Sequence, residues 1–296
     1  MKKIIFLTIL VMAFISCGKH DESDIPGTAT KPQNQIFLSN LETFYGSNVP
    51  IREDPVSFKV DSLNRISEIS YYVTTHTVSY PDSNLITCHS NGTVSNSYID
   101  QTTDIYLKNN KVKKICKNQV QKYPDHTTRF MESDSIIFTY NSDNHLTQID
   151  FFAKLLESSL YFLDKVYEYT YENGNVTKLS KTRYGDETTL NYSYDNLPNI
   201  DYGEYAPDMP FRFDYYYPLI YNKLGKRNIN NIIKATYTYT DPTSTLGLYH
   251  FDYINYERDV NSYGLLIAIK TSGHMTSNDL KTTMTYNDGK ISFTYR

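Results

Sequence analysis

The side chains that could do chemistry are scattered. The chain has seven histidines, at His20, His76, His89, His126, His145, His250 and His274. None sits in H-E-x-x-H, and no pair of cysteines has zinc-ligand spacing. No metal site and no cofactor is expected. There is no G-x-S-x-G elbow, no P-loop and no EF-hand loop, so the motifs favour binding over catalysis. Carboxylates approach one another in sequence at Glu132/Asp134, Asp186/Glu187 and Asp201/Glu204/Asp208. A glycosidase needs two carboxyl groups roughly 5–10 Å apart across a cleft. Neighbours on a turn do not supply that, so these read as solvated loop charge.

The richest stretch for recognition is DYGEYAPDMPFRFDYYYP, from Asp201 to Pro218. Its rings are Tyr202, Tyr205, Phe211, Phe213, Tyr215, Tyr216 and Tyr217. Proline stiffens a loop, and exposed rings can stack on a sugar or bury in a partner. They are the candidate ligand-binding residues. The plainer alternative is that the rings cap the open end of a sheet. A second aromatic stretch runs from Tyr237 to Tyr256. The chain has no Trp, which counts against a dedicated sugar platform.

The elements that must position these residues follow one pattern. Phe138-x-Tyr140 alternates, Asn141 to His145 are turn formers, and Leu146 and Ile149 follow. Alternation, an Asn/Asp-rich turn and renewed strand formers predict a β-hairpin. About nine copies recur at a mean spacing of about 28 residues, a repeat architecture. The predicted turns are DSLNR (from Asp61), HSNGT (His89), KNNK (Lys108), NSDNH (Asn141), ENGN (Glu172), DNLPN (Asp195), NKLGKRN (Asn222), NSYGL (Asn261) and NDGK (Asn287). Many copies carry a second apolar residue three after the first, which implies a bulge behind the turn or burial on both faces. Phe152, Leu155, Leu156, Leu160 and Leu163 also fit a helical stripe, but the repeat favours strands there. The fold class is therefore all-β: a long antiparallel meander, curled into a barrel-like or spiral sheet because flat sheets beyond about 10 strands are unusual.

Composition agrees. The 296 residues include 29 Tyr and 14 Phe, which suit half-buried pleats. The formal net charge is −4, which argues against a nucleic-acid partner. Lys111, Lys113 and Lys114 form the densest basic spot and read as a solvated strand edge. Cys88 and Cys116 fall on strands too far apart to bridge, so two separate thiols are expected.

Met1-Lys2-Lys3 followed by the apolar run Ile4 to Ile15 fits a signal h-region, too short to span a bilayer. It ends at Phe14-Ile15-Ser16-Cys17, which resembles the bacterial lipobox. The resemblance implies lipidation at Cys17 and membrane attachment through that lipid. Asp21, Glu22 and Asp24 resemble the surface-export signal of Bacteroidetes lipoproteins. Residues 1–16 are thus expected to be a lipoprotein signal peptide, 17–35 a flexible tether and 36–296 one hairpin-repeat domain.

Tyr192-x-Tyr194-Asp195, Tyr169-x-Tyr171-Glu172-Asn173-Gly174 and Phe138-x-Tyr140-Asn141 look like the YD repeats of RHS-type surface proteins. With the lipobox, the chain resembles a family of uncharacterised Bacteroidetes lipoproteins with a porin-like fold. The resemblance implies a fold and an outer-membrane address, on the cell surface or facing the periplasm, and supplies no catalytic residues. The expected function is a non-enzymatic, lipid-anchored envelope module that binds a glycan, peptide or protein. A structural module and a hydrolase are the alternatives.

Overall fold

The computed structural model describes residues 38–44, 56–63, 65–71, 74–94, 97–123, 128–154, 161–199, 216–240, 249–262, 266–277 and 283–295. The signal, lipobox and tether expectations, Cys17 included, lie outside them. The strands are β1 (Leu38–Phe44), β2 (Val56–Val60), β3 (Ile66–Tyr71), β4 (Thr74–Asp82), β5 (Leu85–Val94), β6 (Ser97–Lys108), β7 (Lys111–Lys122) and β8 (Thr128–Tyr140). They continue as β9 (Leu146–Lys154), β10 (Tyr161–Glu172), β11 (Asn175–Arg183), β12 (Asp186–Pro198), β13 (Asn230–Tyr239), β14 (Tyr249–Val260), β15 (Leu266–Ser277) and β16 (Thr283–Tyr295). A four-residue helix α1 (Tyr217–Ile220) and a 3-10 turn (Tyr221–Lys223) interrupt the meander.

From β2 to β16 each strand pairs antiparallel with its successor. β1 then hydrogen-bonds to β16 on one side and to β2 on the other, which closes the ring. The β1–β2 seam is short, held at Asn40↔Ser57 and Leu41↔Val56. The expected all-β meander is what forms. Residues 151–154 and 161–163 are strand, in β9 and β10; Leu155, Leu156 and Leu160 lie outside the described residues.

Local chemistry explains the hairpins. Asp61 Oδ1 accepts the amides of Leu63 (2.8 Å) and Arg65 (2.9 Å). Asn141 Oδ1 accepts the amide of His145 (2.9 Å). Asn109, Asn110, Asn144 and Asn173 take positive φ, which Asn tolerates better than other side chains.

The repeating tyrosine has its own role. Tyr80, Tyr140, Tyr171 and Tyr194 donate their hydroxyls to the carbonyls of Ile66 (3.0 Å), Val112 (2.8 Å), Leu146 (2.8 Å) and Val176 (2.6 Å). Each acceptor is the first apolar residue after the preceding hairpin's turn. The ring fills the core while the hydroxyl ties one hairpin to the next. Burial pushes Tyr80 up to about 12, and Tyr140 and Tyr171 higher still. These hydroxyls stay protonated and able to donate.

The core lies inside the ring. Ile105, Ile115, Ile149, Val112, Leu146, Val176, Leu179 and Leu190 are fully buried. The apolar offset of three is explained by bulges, as where Tyr140 pairs Leu146 after a register shift. Between β12 and β13, Tyr216, Leu219, Ile220 and Leu224 fold into the same core. These residues plug one end of the ring. The hairpin turns before β3, β5, β7, β9, β11 and β15 sit at this plugged end, and β1 also starts there, with Leu38 opposite Tyr295.

Several sequence expectations are corrected. HSNGT runs inside β5 and NDGK inside β16; the true second turn lies between Asp82 and Leu85. NDGK is a bulge, since Thr271 pairs Gly289 while Gly273 pairs Tyr286. Leu219-x-Tyr221 is helical rather than strand, because Leu219 and Ile220 are buried in the barrel end instead of pairing. β7 is no edge: it pairs with β6 and β8, and Lys111 and Lys113 fold over the Tyr140 ring. Cys88 and Cys116 are free thiols, as expected. They are two strands apart, on β5 and β7, and lie on opposite faces.

Candidate functional site

The inward rows change character along the barrel axis. At the plugged end they are aliphatic and fully buried. Toward the other end they become polar: Cys88–Thr103–Lys117–Asp134 in one row, Ser90–Gln101–Gln119 in the next. Register places these residues inside, because Ile105, Ile115 and Ile136 two positions away are core. Cys88, Thr103 and Ser90 are buried, while Lys117, Gln101 and Gln119 are half-buried. The sixteen strands thus enclose a floor of core and plug, with a polar, solvent-reached half above it.

Three lysines line this half against aromatic rings. Lys117 Nζ lies 4.8 Å from the Tyr216 centroid, Lys165 Nζ 4.5 Å from Phe151, and Lys181 Nζ 5.8 Å from Tyr167. Lys165 pairs across from Phe151 and Lys181 across from Tyr167. Both rings pack on the core, so both lysines face inward. Burial holds the Lys165 ammonium below its ordinary pKa; Asp164 and Asp134 attract it, and Arg183 and Lys117 repel it. Arg183 is engaged by Asp164 at 3.1 Å. Cys88 is chemically quiet, its thiol pushed up to about 12 by burial.

The outer face is different. Lys59–Glu68 (2.6 Å), His89–Asp100 (2.8 Å), Thr87–Asp104 (2.7 Å), Gln148–Asp150 (2.7 Å) and Lys270–Asp259 (2.8 Å) are polar pairs on outward positions from β2 to β15. One cluster has catalytic residue types. Asp252 sits at a bulge of β14. Its carboxylate meets His274 Nδ1 at 2.5 Å and accepts from Thr276 Oγ1 at 2.7 Å; His250 Nε2 is 3.9 Å away. A carboxylate-held imidazole is part of a nucleophile-activating set. Among the described residues no Ser or Cys hydrogen-bonds to that imidazole, and none forms a group of three or more ligands for a metal.

Of the sequence-predicted binding residues, Tyr202, Tyr205, Phe211, Phe213 and Tyr215 lie outside the described residues. Tyr217 begins α1. Tyr216 is fully buried, so it serves as floor rather than as an exposed platform. The inward lysines were missed. Their signal was faint: Lys117 falls two after Ile115, and Lys165 two before Tyr167. The Asp252–His274 pair joins two strands and has no local signal.

No family model matches the sequence, and no curated protein matches it. Solved structures do. A porin-like protein from Bacteroides vulgatus shares 13% identity at a TM-score of 0.53, over 88% of this chain and 99% of that one. A porin-like protein from Bacteroides uniformis shares 11% identity at a TM-score of 0.47, over 88% and 98%. The Bacteroides vulgatus protein shows a shared porin-like fold.

Proposed function

We propose that this chain is a non-enzymatic, envelope-associated binding domain that takes its ligand into the open half of the barrel. The observation that carries this reading is the reversal of polarity between faces. A bilayer-spanning barrel needs an outward apolar band about 25 Å tall. Here polar pairs stand on outward positions from β2 to β15, interspersed with single exposed apolar residues such as Tyr106, Ile137 and Ile233, while apolar side chains fill the plugged half of the inside. The porin-like likeness supports the barrel, while the plug opposes a through-channel. Lipidation at Cys17, followed by the tether, would fix the domain to the outer membrane without crossing it. The ligand is a glycan, peptide or protein segment. The aromatic stretch 201–215 is a second contact candidate.

Two measurements test this. In fractionated cells, wild type should sediment with membranes and Cys17→Ser should be soluble; a spanning barrel would sediment in both cases. Gln101→Cys should react with a water-soluble maleimide and be shielded by envelope polysaccharide, with the polysaccharide's chain length unchanged. Absent shielding would overturn the glycan reading, and shortened chains would favour the hydrolase. Protease added to intact cells then separates a surface address from a periplasmic one.

A further inference from the structure

We infer that the plugged end of the barrel is a membrane-facing surface, on which Lys108, Lys111, Lys113, Lys223 and Lys226, with a rim of exposed aliphatic side chains, rest reversibly on anionic lipid headgroups. The inference rests on the envelope reading and says which end of the domain meets the bilayer. The lysines come together from the β6–β7 turn, the start of β7, and the 3-10 turn with the residues after it. Lys108 pairs with Lys111 across its turn. Lys111 Nζ donates to Asn144 Oδ1, and the Lys226 amide donates to the Asn144 carbonyl oxygen at 2.8 Å. Lys223 Nζ donates to Asn110 Oδ1 at 2.8 Å, and Lys113 Nζ to the Phe138 carbonyl oxygen at 3.2 Å. Tyr140 lies in their midst. Lys111 and Lys113 stand 5.2 and 5.8 Å from its ring centroid, and its hydroxyl is 3.5 Å from the Lys223 carbonyl oxygen. The acceptors are neutral, so each ammonium keeps its charge. Among the described residues no carboxylate lies within ion-pair distance of these lysines. Asp143 shares the β8–β9 turn and opposes Lys226 in its effect on His145. Asp82 and Glu172 belong to the adjoining turns, and the lysines outnumber these carboxylates.

Leu63, Leu197, Ile229 and Val260 are exposed at the same end. They stand in the turn before β3, at the β12–β13 junction and at the end of β14. Aliphatic groups beside lysines suit a bilayer interface, where the former enter the headgroup layer and the latter meet its phosphates. The chain supplies the direction. β1 begins at this end, with Leu38 opposite Tyr295, so the segment that would carry the Cys17 lipid leads away from it. That lipid would bring the plugged end, and not the mouth, within reach of the bilayer. Exposed charges are screened at physiological salt, so this surface orients a domain that the lipid retains and does not hold it alone.

The test is vesicle co-sedimentation of the full chain carrying Cys17→Ser, so that no attached lipid does the binding. The vesicles are phosphatidylethanolamine mixed with either phosphatidylglycerol or phosphatidylcholine, at low and high salt. The expected result is tighter binding to the phosphatidylglycerol vesicles at low salt, lost at high salt. Replacing Lys108, Lys111 and Lys226 together by Gln should lower that affinity at least about ten-fold, while Lys270→Gln on the outer face leaves it unchanged. Thermal melts check that the variants fold; if the triple replacement does not, Lys108→Gln with Lys226→Gln, both at exposed positions, takes its place. Equal binding to the two compositions, or a preference that ignores the lysines, overturns the inference. The lipidated wild type should sediment with both kinds of vesicle. Its failure to do so would count against the anchored reading alone, since the lysine dependence is read on the chain without lipid.

Discussion

The two halves of the barrel use the same strands to opposite ends. In the plugged half the inward residues are Ile, Leu, Val and Tyr, and four tyrosine hydroxyls tie a hairpin to the one before it. In the open half the inward positions hold Lys, Gln, Thr and Asp. The plugged half is organised for stability and the open half tolerates polarity. A ring of this circumference cannot fill its interior from strand side chains alone. The plug solves the problem at one end and leaves polar inward positions at the other.

The widest break in that contrast should come from matched truncations. Ile149→Ala in the plugged half should cost roughly 2–5 kcal/mol, whereas Gln119→Ala in the open half should stay within about 0.5 kcal/mol. Urea titration of both measures it, and equal effects would erase the distinction.

His76 sharpens it next. Burial lowers its pKa to about 4 from 6.5. The folded state resists protonation, so the unfolded chain binds more protons between those values. Stability is therefore full above pH 6.5 and falls as the pH drops toward 4, by as much as about 3 kcal/mol. Unfolding midpoints across that window should slope, and His76→Gln should flatten them.

A smaller effect is expected at Gly225, where the plug meets the β8–β9 turn. Its φ is +88°, and an added Cβ would lie 2.3 Å from the Asn144 carbonyl oxygen. Gly225→Ala should cost roughly 1–3 kcal/mol, read as a lower melting temperature. The smallest of these effects is Tyr140→Phe, which keeps the ring and removes one clasp. It should cost roughly 0.5–1.5 kcal/mol. A loss no larger than that of an exposed Tyr→Phe control, such as Tyr184→Phe, would mean that the hydroxyl does not tie the hairpins.

The meander was legible because its signals are local. Alternation around Phe138 and Tyr140 and the Asn-rich turns are written in consecutive residues. Turn chemistry also misled, since His89-Ser-Asn-Gly-Thr has the composition of a turn yet lies in β5. Neighbouring strands on both sides decide that, and composition does not carry them. Leu219 and Tyr221 looked like strand because alternate apolar spacing is also compatible with a short helix. The open half was unreadable for another reason. An inward lysine and an outward lysine look alike until the register is known, and register depends on pairs such as Lys165 with Phe151. The plug contacts are longer still in reach. Asn175 accepts the amides of Ile229 and Asn230, and Asn228 accepts that of Val176.

The first strand fixes a direction. β1 joins the ring at the plugged end, so whatever precedes Leu38 is attached there and the lysine-lined mouth points the opposite way. With a flexible tether from Cys17 to Gln35, the root-mean-square reach would be roughly 25 Å. The domain would then behave as a socket on a short leash, turned outward and free to tilt. Ligands would meet the mouth before the membrane, and a polymer fixed elsewhere on the cell could be gripped without the barrel leaving its own anchor point.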